Sequence, residues 1–165
     1  MKSSKIPRDE LFNHINAILT YQFSEEFARA FLEPYSAMVV KFSRSTGKIR
    51  EIYYENTPQA SYRPPFGTFS ISLAAAQRIL PTLPSLVHRV MVLSEVAEFI
   101  KAGKSVFAKH VVGIDPTLHI GDEVLVVDQS DNLLAVGKLH LPPHYFPSMQ
   151  HGSAVKVRKG INALK

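Results

Sequence analysis

Cysteine and tryptophan are both absent from the 165 residues. The first absence excludes disulfides, thiolate zinc sites, iron–sulfur clusters and a cysteine nucleophile, and it fits a reducing compartment. Long apolar runs are missing too. The most apolar stretch, Val87 to Leu93, is interrupted by His88 and Arg89 and falls far short of a membrane span. Met1 to Glu10 carries positive charge with no apolar stretch behind it, so no targeting segment is expected and the expected location is the cytoplasm. The length rules out a full eight-stranded α/β barrel, which takes about 250 residues. It suits one ordinary domain or two very small ones.

What is present is positive charge. Nineteen Lys and Arg stand against fourteen Asp and Glu, for a net +5 and a pI near 9.5, which favours a polyanionic partner. The charges are also sorted. Lys101, Lys104 and Lys109 come with no acid among them, and Asp115 to Asp131 holds five acids and no Lys or Arg. Beyond Asp131 there is no acid, while Lys138, Lys156, Arg158, Lys159 and Lys165 remain. Such a chain can fold into one basic and one acidic face, against the plainer alternative of a mixed surface.

The chain changes period as it proceeds. Pro7 with Asp9 and Glu10 suits a helix start, and Leu11, Phe12, Ile15, Ile18 and Leu19 recur at helical spacing. Ser24 is placed to cap a second helix carrying Phe27, Ala28, Phe31 and Leu32, which Pro34 ends. Met38 to Phe42 and Ile49 to Tyr54 then read as a β-hairpin turning at Gly47, and residues 57–68 as a proline-rich loop. Leu73 to Leu80 is a short helix stopped by Pro81 and Pro84, and a domain boundary is expected between residues 87 and 88. After a strand from His88 to Leu93, Ser94 should cap a helix with Val96, Ala97, Phe99 and Ile100 inside it, closed by Gly103. Val106 to Val112, Glu123 to Asp128, Leu133 to Leu139 and Ala154 to Arg158 follow as short strands. With no helices between them they suggest a small mixed barrel. The expected class is α+β: a small α/β unit over 1–87, then a mixed β pseudobarrel over 88–165.

Four blocks carry a resemblance: Val106-Phe-Ala-Lys-His-Val-Val112, Gly121-Asp-Glu-Val-Leu-Val-Val127, Leu134-Ala-Val-Gly137 and Gly152-Ser-Ala-Val-Lys-Val-Arg-Lys-Gly160. In this order they resemble a PUA domain, a pseudobarrel that appends RNA binding to RNA-modifying enzymes. Upstream, Tyr21-Gln-Phe23, Ser45-Thr-Gly-Lys-Ile-Arg50 and Arg63-Pro-Pro-Phe-Gly-Thr-Phe69 are similar to the segment preceding the PUA domain in archaeal archaeosine tRNA-guanine transglycosylases. The resemblance runs from about Tyr21 to Gly160. It covers the C-terminal, non-catalytic part of that enzyme as a separate polypeptide, without its barrel, paired aspartates or zinc site. The related archaeosine synthase has a similar C-terminal half, so the resemblance does not select the catalytic partner.

The resemblance implies that the basic clusters lie side by side in an RNA groove: Lys101, Lys104, Lys109 and His110 from one segment, Lys156, Arg158 and Lys159 from another. Gly103 and Gly113 would permit close backbone approach. Each lysine alone reads as an ordinary solvated charge; the pair of clusters is the stronger signal. Among Tyr53, Tyr54, Tyr62, Phe66 and Phe69, core packing is the default reading, with Tyr62, Arg63 and Phe66 as a docking surface for a catalytic subunit.

The implied partners are tRNA, through its single-stranded 3′ end, and a transglycosylase subunit on a separate chain. No membrane partner and no cofactor is called for, and the sequence does not decide between one copy and a homodimer. His140, His144 and His151 have metal-like spacing, but Pro142 and Pro143 break any helix that would align the first two, and no metal is expected. No phosphate-binding glycine loop or nucleophile elbow is present, so the chain by itself is expected not to be an enzyme. A stand-alone RNA-binding module and a protein-interaction domain remain as competing readings.

Overall fold

The computed structural model describes residues 6–164, so the first five residues and Lys165 lie outside it. The chain forms two compact units, the first ending at Leu83 and the second beginning at Pro84.

The first unit runs α1 (Arg8–Gln22), α2 (Glu25–Leu32), β1 (Met38–Phe42), β2 (Ile49–Tyr54), β3 (Thr57–Arg63), β4 (Thr68–Ile71) and α3 (Leu73–Ile79). Leu11, Phe12, Ile15 and Leu19 form the buried stripe of α1. The Ser24 Oγ accepts the Phe27 N–H at 3.1 Å and caps α2; Ser72 caps α3 in the same way through Ala75 at 3.0 Å. The sheet is antiparallel in the order β1-β2-β3-β4, and Met38, Ile52, Ala60, Phe69 and Ile71 face its core.

The loop expected over residues 57–68 is corrected: β3 and β4 occupy most of it, and only residues 64–67 turn. Pro58 is accommodated at a register shift opposite Tyr53, where a missing N–H costs the ladder little. The backbone of Phe69 is paired by a side chain. Gln22 Nε2 donates to the Phe69 carbonyl at 2.7 Å, and Gln22 Oε1 accepts its N–H at 2.7 Å. Arg78 closes the C-terminus of α2, donating to the carbonyls of Phe31 at 2.6 Å and Glu33 at 2.7 Å and to Gln59 Oε1 at 3.1 Å. Those carbonyls have no partner within the helix, which is why a cation is held there.

The second unit runs β5 (Arg89–Val92), a 3₁₀ turn at Ser94–Val96, α4 (Ala97–Lys101), β6 (Val106–Phe107), β7 (Val111–Ile114), β8 (Glu123–Val127), β9 (Leu133–Leu139) and β10 (Ser153–Gly160). The sheet order is β6-β10-β9-β8-β5-β7, with β5 parallel to β8 and the other pairs antiparallel. Strands β6 and β7 lie at opposite edges yet are joined through a 3₁₀ turn at Ala108–His110, so the chain itself nearly closes the barrel. This breaks the single strand expected over Val106 to Val112, because its two halves pair with different partners. Val90, Val124, Val126, Leu134, Leu139 and Val155 fill the core, with Ile100 of α4 packed among them. The α+β class with a mixed pseudobarrel is the architecture formed. Ser94 does not cap α4; its N–H donates to Gln129 Oε1 at 3.1 Å instead.

Candidate nucleic-acid interface

Three segments of the second unit meet at the expected groove. The register pairs Val106 with Val155, and continuing it upstream carries Lys104 alongside Lys156–Arg158. The end of α4 lies directly on β10: a Cβ placed on Gly160 would stand 2.1 Å from the Lys101 carbonyl oxygen and 2.7 Å from that of Ile100. The backbone of Lys101 thereby rests on the end of β10, while its ammonium is directed to Glu98 and acts on Asp128. Lys104, Lys156 and Lys159 are exposed and make no ion pair among the described residues. Lys101 pairs with Glu98 at 2.7 Å, an exposed contact that water readily replaces.

Two of the expected cations stand apart. The N–H of Ala108 donates to the Gly152 carbonyl at 3.0 Å, so Lys109 sits at the opposite end of β10, roughly 20 Å of strand away. Arg158 is tied to a buried carboxylate while staying exposed itself. It is the extra residue of a register shift in β10, and its guanidinium reaches Glu123 at 2.6 Å. Glu123 is buried and lies in register with Lys138, which is itself in register with Lys156. Arg158→Ala is therefore expected to cost about 1–2 kcal/mol of stability, whereas Lys159→Ala should change it by no more than about 0.5 kcal/mol. Thermal melts of both variants check this; equal effects would show that Arg158 is an ordinary surface cation.

Of the acids from Asp115 to Asp131, two, Asp115 and Glu123, are buried by the fold. Asp115 accepts the His88 N–H at 2.8 Å, the Thr117 N–H at 2.9 Å and the Thr117 hydroxyl at 2.6 Å. Burial alone would push its carboxyl up, but these bonds and the nearby His88 leave it below its ordinary value. Asp128 is likewise partly desolvated, yet Asn132, Ser130 and the charge of Lys101 bring it below its ordinary value. Asp131 binds Arg89, and Asp122 accepts the His119 N–H. Lys104, Lys156 and Lys159 face solvent, whereas Asp115 and Glu123 are buried and Asp122, Asp128 and Asp131 keep part of their surface.

A feature the sequence reading missed lies beside the lysines. Val96, Phe99, Ile100, Lys104, Phe107 and His110 line a pocket of about 440 Å³. Phe99, expected inside its helix, is 64% exposed, and Phe107 is 52% exposed. Apolar residues at helical spacing do not reveal on their own which of them the core takes. His110 lies in the wall of this pocket. Gly103 has φ +94° and open space around it, while Gly113 packs against Met91 and Leu86. In the first unit, Tyr62 is half-buried with its ring 5.3 Å from that of Phe69, and Arg63 Nε donates to Ser70 Oγ at 3.1 Å. Phe66 projects at 74% exposure.

Among the described residues no helix is long and apolar enough to cross a membrane, and no three His, Asp or Glu side chains are grouped to hold a metal.

Comparison with known proteins matches residues 13–85 to the patch-forming domain C2 of tRNA-guanine transglycosylase and residues 88–161 to the PUA domain. The tRNA-guanine(15) transglycosylase of Thermococcus onnurineus is 36% identical over 152 residues, which is 92% of this chain and 26% of that protein. That of Thermococcus kodakarensis is 36% identical over 157 residues, 95% of this chain and again 26% of the relative. The chain thus spans about a quarter of the length of these curated relatives. Among solved structures, a hypothetical protein of Pyrococcus horikoshii matches with a TM-score of 0.72 at 24% identity, covering 94% of this chain and 92% of its own. A conserved PUA domain protein of Thermoplasma acidophilum matches with a TM-score of 0.64 at 19% identity, covering 94% and 91%. Both share the fold.

Proposed function

The chain belongs to the family formed by the C-terminal domains of archaeal tRNA-guanine transglycosylases, a patch-forming C2 domain followed by a PUA domain, and on that premise we propose that it is a tRNA-binding accessory subunit of a split archaeosine transglycosylase. In this reading the second unit holds the single-stranded 3′ end of tRNA, and a separate catalytic chain exchanges the base. The subunit is not catalytic by itself and needs no cofactor. Phe66, with Tyr62 and Arg63 beside it, belongs to the surface that docks the catalytic chain.

One observation carries the reading. Lys104, which makes no ion pair among the described residues, lines an apolar pocket from which Phe99 and Phe107 project. Lysines neutralise phosphates of any sequence, whereas exposed aromatic faces are useful only to bases that are not already stacked in a duplex. The combination suits an unpaired RNA end, and His110 can hydrogen-bond a base edge from the pocket wall.

The test compares intact tRNA with tRNA lacking its terminal CCA at one fixed salt concentration. Removal of CCA is expected to weaken binding about tenfold or more, and Phe107→Ala should weaken intact tRNA by roughly 1–3 kcal/mol, the scale of one lost stacking contact. Lys104→Ala with Lys156→Ala should lower affinity and flatten its salt dependence by a log–log slope of about 1.5. Equal affinity for the two RNAs would place the 3′ end elsewhere.

A further inference from the structure

The helix-facing side of the first sheet is not covered to its end. Met38, Ile52 and Ala60 are fully buried there. Phe42, Ile49 and Tyr62 lie further along the same strands, toward the β1–β2 and β3–β4 turns, and are only half-buried. Leu11 of α1 stands in the opposite wall, but the helix does not fill the space. A cavity of about 460 Å³ remains between the N-terminal half of α1 and the turn end of the sheet. That volume is in the range that holds a small molecule.

Three ionisable side chains line the same cavity. Glu10 and His14 come from one face of α1, a turn apart, and Lys48 from the end of the hairpin turn. Among the described residues none of these three side chains makes a hydrogen bond or an ion pair, and neither does the Tyr62 hydroxyl. Both walls are held in place. Arg8 Nη2 donates to the carbonyls of Tyr35 and Met38 at 3.0 Å each, and the Tyr35 hydroxyl donates to Asp9 Oδ1 at 2.8 Å, directly before Glu10. In the hairpin the Ser43 N–H donates to the Lys48 carbonyl at 2.8 Å and the Gly47 N–H to the Ser43 carbonyl at 2.9 Å. The acid and the ammonium are thus carried by backbone that is already fixed before a ligand arrives.

From this juxtaposition we infer that the cavity between α1 and the turn end of the first sheet is a binding site for a free α-amino acid with a large apolar side chain. The mixture of groups narrows the ligand to that class. A phosphate would be repelled by Glu10, a simple amine by Lys48, and a hydrocarbon would leave both charges unanswered. A zwitterion with an apolar body meets all of them: its ammonium pairs with Glu10, its carboxylate with Lys48 and the Tyr62 hydroxyl, and its side chain lies on Leu11, Phe42 and Ile49. Each exposed charge pair is worth little by itself, so affinity comes from the apolar contact and selectivity from meeting both charges together. The site lies within the first unit and stands or falls independently of the tRNA-binding reading above.

The test titrates the full, isotope-labelled chain with L-phenylalanine and follows the backbone amides by NMR. Saturable shifts are expected at Leu11, His14, Ile49 and Tyr62, with a dissociation constant of about 0.1–1 mM. Phenethylamine, which lacks the carboxylate, and phenylpropionate, which lacks the ammonium, should each bind about threefold to fivefold more weakly. Two variants at exposed side chains assign the charges. Glu10→Gln should weaken L-phenylalanine by the same factor and leave phenylpropionate no weaker, while Lys48→Gln should weaken L-phenylalanine and leave phenethylamine no weaker. Absence of saturable shifts up to roughly 10 mM would overturn the inference. So would benzyl alcohol binding as well as L-phenylalanine, since the cavity would then be an apolar cleft without selectivity. Shifts centred on Phe99 and Phe107, or displacement of the amino acid by a single-stranded RNA ending in CCA, would move the ligand to the pocket of the second unit and overturn it equally.

Discussion

Asp131→Asn is expected to cost about 3 kcal/mol, more than an exposed carboxylate ordinarily contributes, because it strands the most deeply buried cation of the second unit. The Arg89 side chain is 2% exposed, and its Nε and Nη2 meet the two oxygens of Asp131 at 2.8 Å and 3.2 Å. Its Nη1 donates to the carbonyls of Pro84 at 2.6 Å and Val87 at 3.4 Å, so one guanidinium ties the start of the second unit to the turn between β8 and β9. Replacing the carboxylate by its amide keeps the side-chain shape but leaves one acceptor where there were two and takes away the counter-charge. Asn tolerates the φ of +61° that Asp131 adopts, so backbone strain does not enter the comparison. Removing both partners should be kinder than removing one. In Arg89→Met with Asp131→Asn the buried charge is gone and an apolar chain of similar length fills its place, and the double variant should recover about half of the loss or more. Hydrogen exchange at the Val90 and Val126 amides reports this locally in the second unit. A double variant no more stable than Asp131→Asn alone would mean that the carbonyl bonds, and not the ion pair, hold this corner.

The same bookkeeping of charges explains the basic surface. Sorting along the chain suggested two faces of opposite sign, but a carboxylate that the fold buries is lost to the surface. Asp115 and Glu123 go that way, through contacts with His88, Thr117 and Arg158, while Asp122, Asp128 and Asp131 keep part of their surface. Lysines resist desolvation and stay outside. A chain with a net charge of only +5 can therefore display a strongly cationic groove.

Local signals were legible wherever the physics is local. The Ser24 cap, the alternation of Met38 to Phe42, the glycine turn at Gly47 and the valine-rich strands of the second unit each depend on a few neighbouring residues. Strands β3 and β4 were not legible, because Pro58 argues for a loop until its place opposite Tyr53 is known. The division of Val106 to Ile114 into β6 and β7 depends on partners at opposite sheet edges, which no short window contains. In the site, the cation identities could be read from the sequence, and their gathering came only through the family resemblance. The pairing of Arg158 with buried Glu123 and the outward placement of Phe99 are tertiary choices.

Gly160→Val is the second large effect expected, and it joins the fold to the interface. The glycine is not needed for a special backbone angle. It is needed because α4 ends on top of it, with the carbonyl oxygens of Lys101 and Ile100 standing 2.1 Å and 2.7 Å from where a Cβ would be. Backbone oxygens cannot swing aside as a long side chain can, so the last turn of α4 has to move. Overpacking of this kind costs about 1–3 kcal/mol and more when backbone is displaced, and roughly 3 kcal/mol is expected here. Ile100 would leave its place in the core, and the pocket wall that includes Phe99 and Lys104 would shift with it. The variant should therefore bind the CCA-ending single strand at least tenfold more weakly, even at temperatures where it stays folded. Gly113→Ala is the fitting comparison, since its Cβ would meet only side chains, with the nearest atom at 3.4 Å. It should lose about 1 kcal/mol or less and keep full affinity. Wild-type stability in Gly160→Val would show that α4 does not rest on β10.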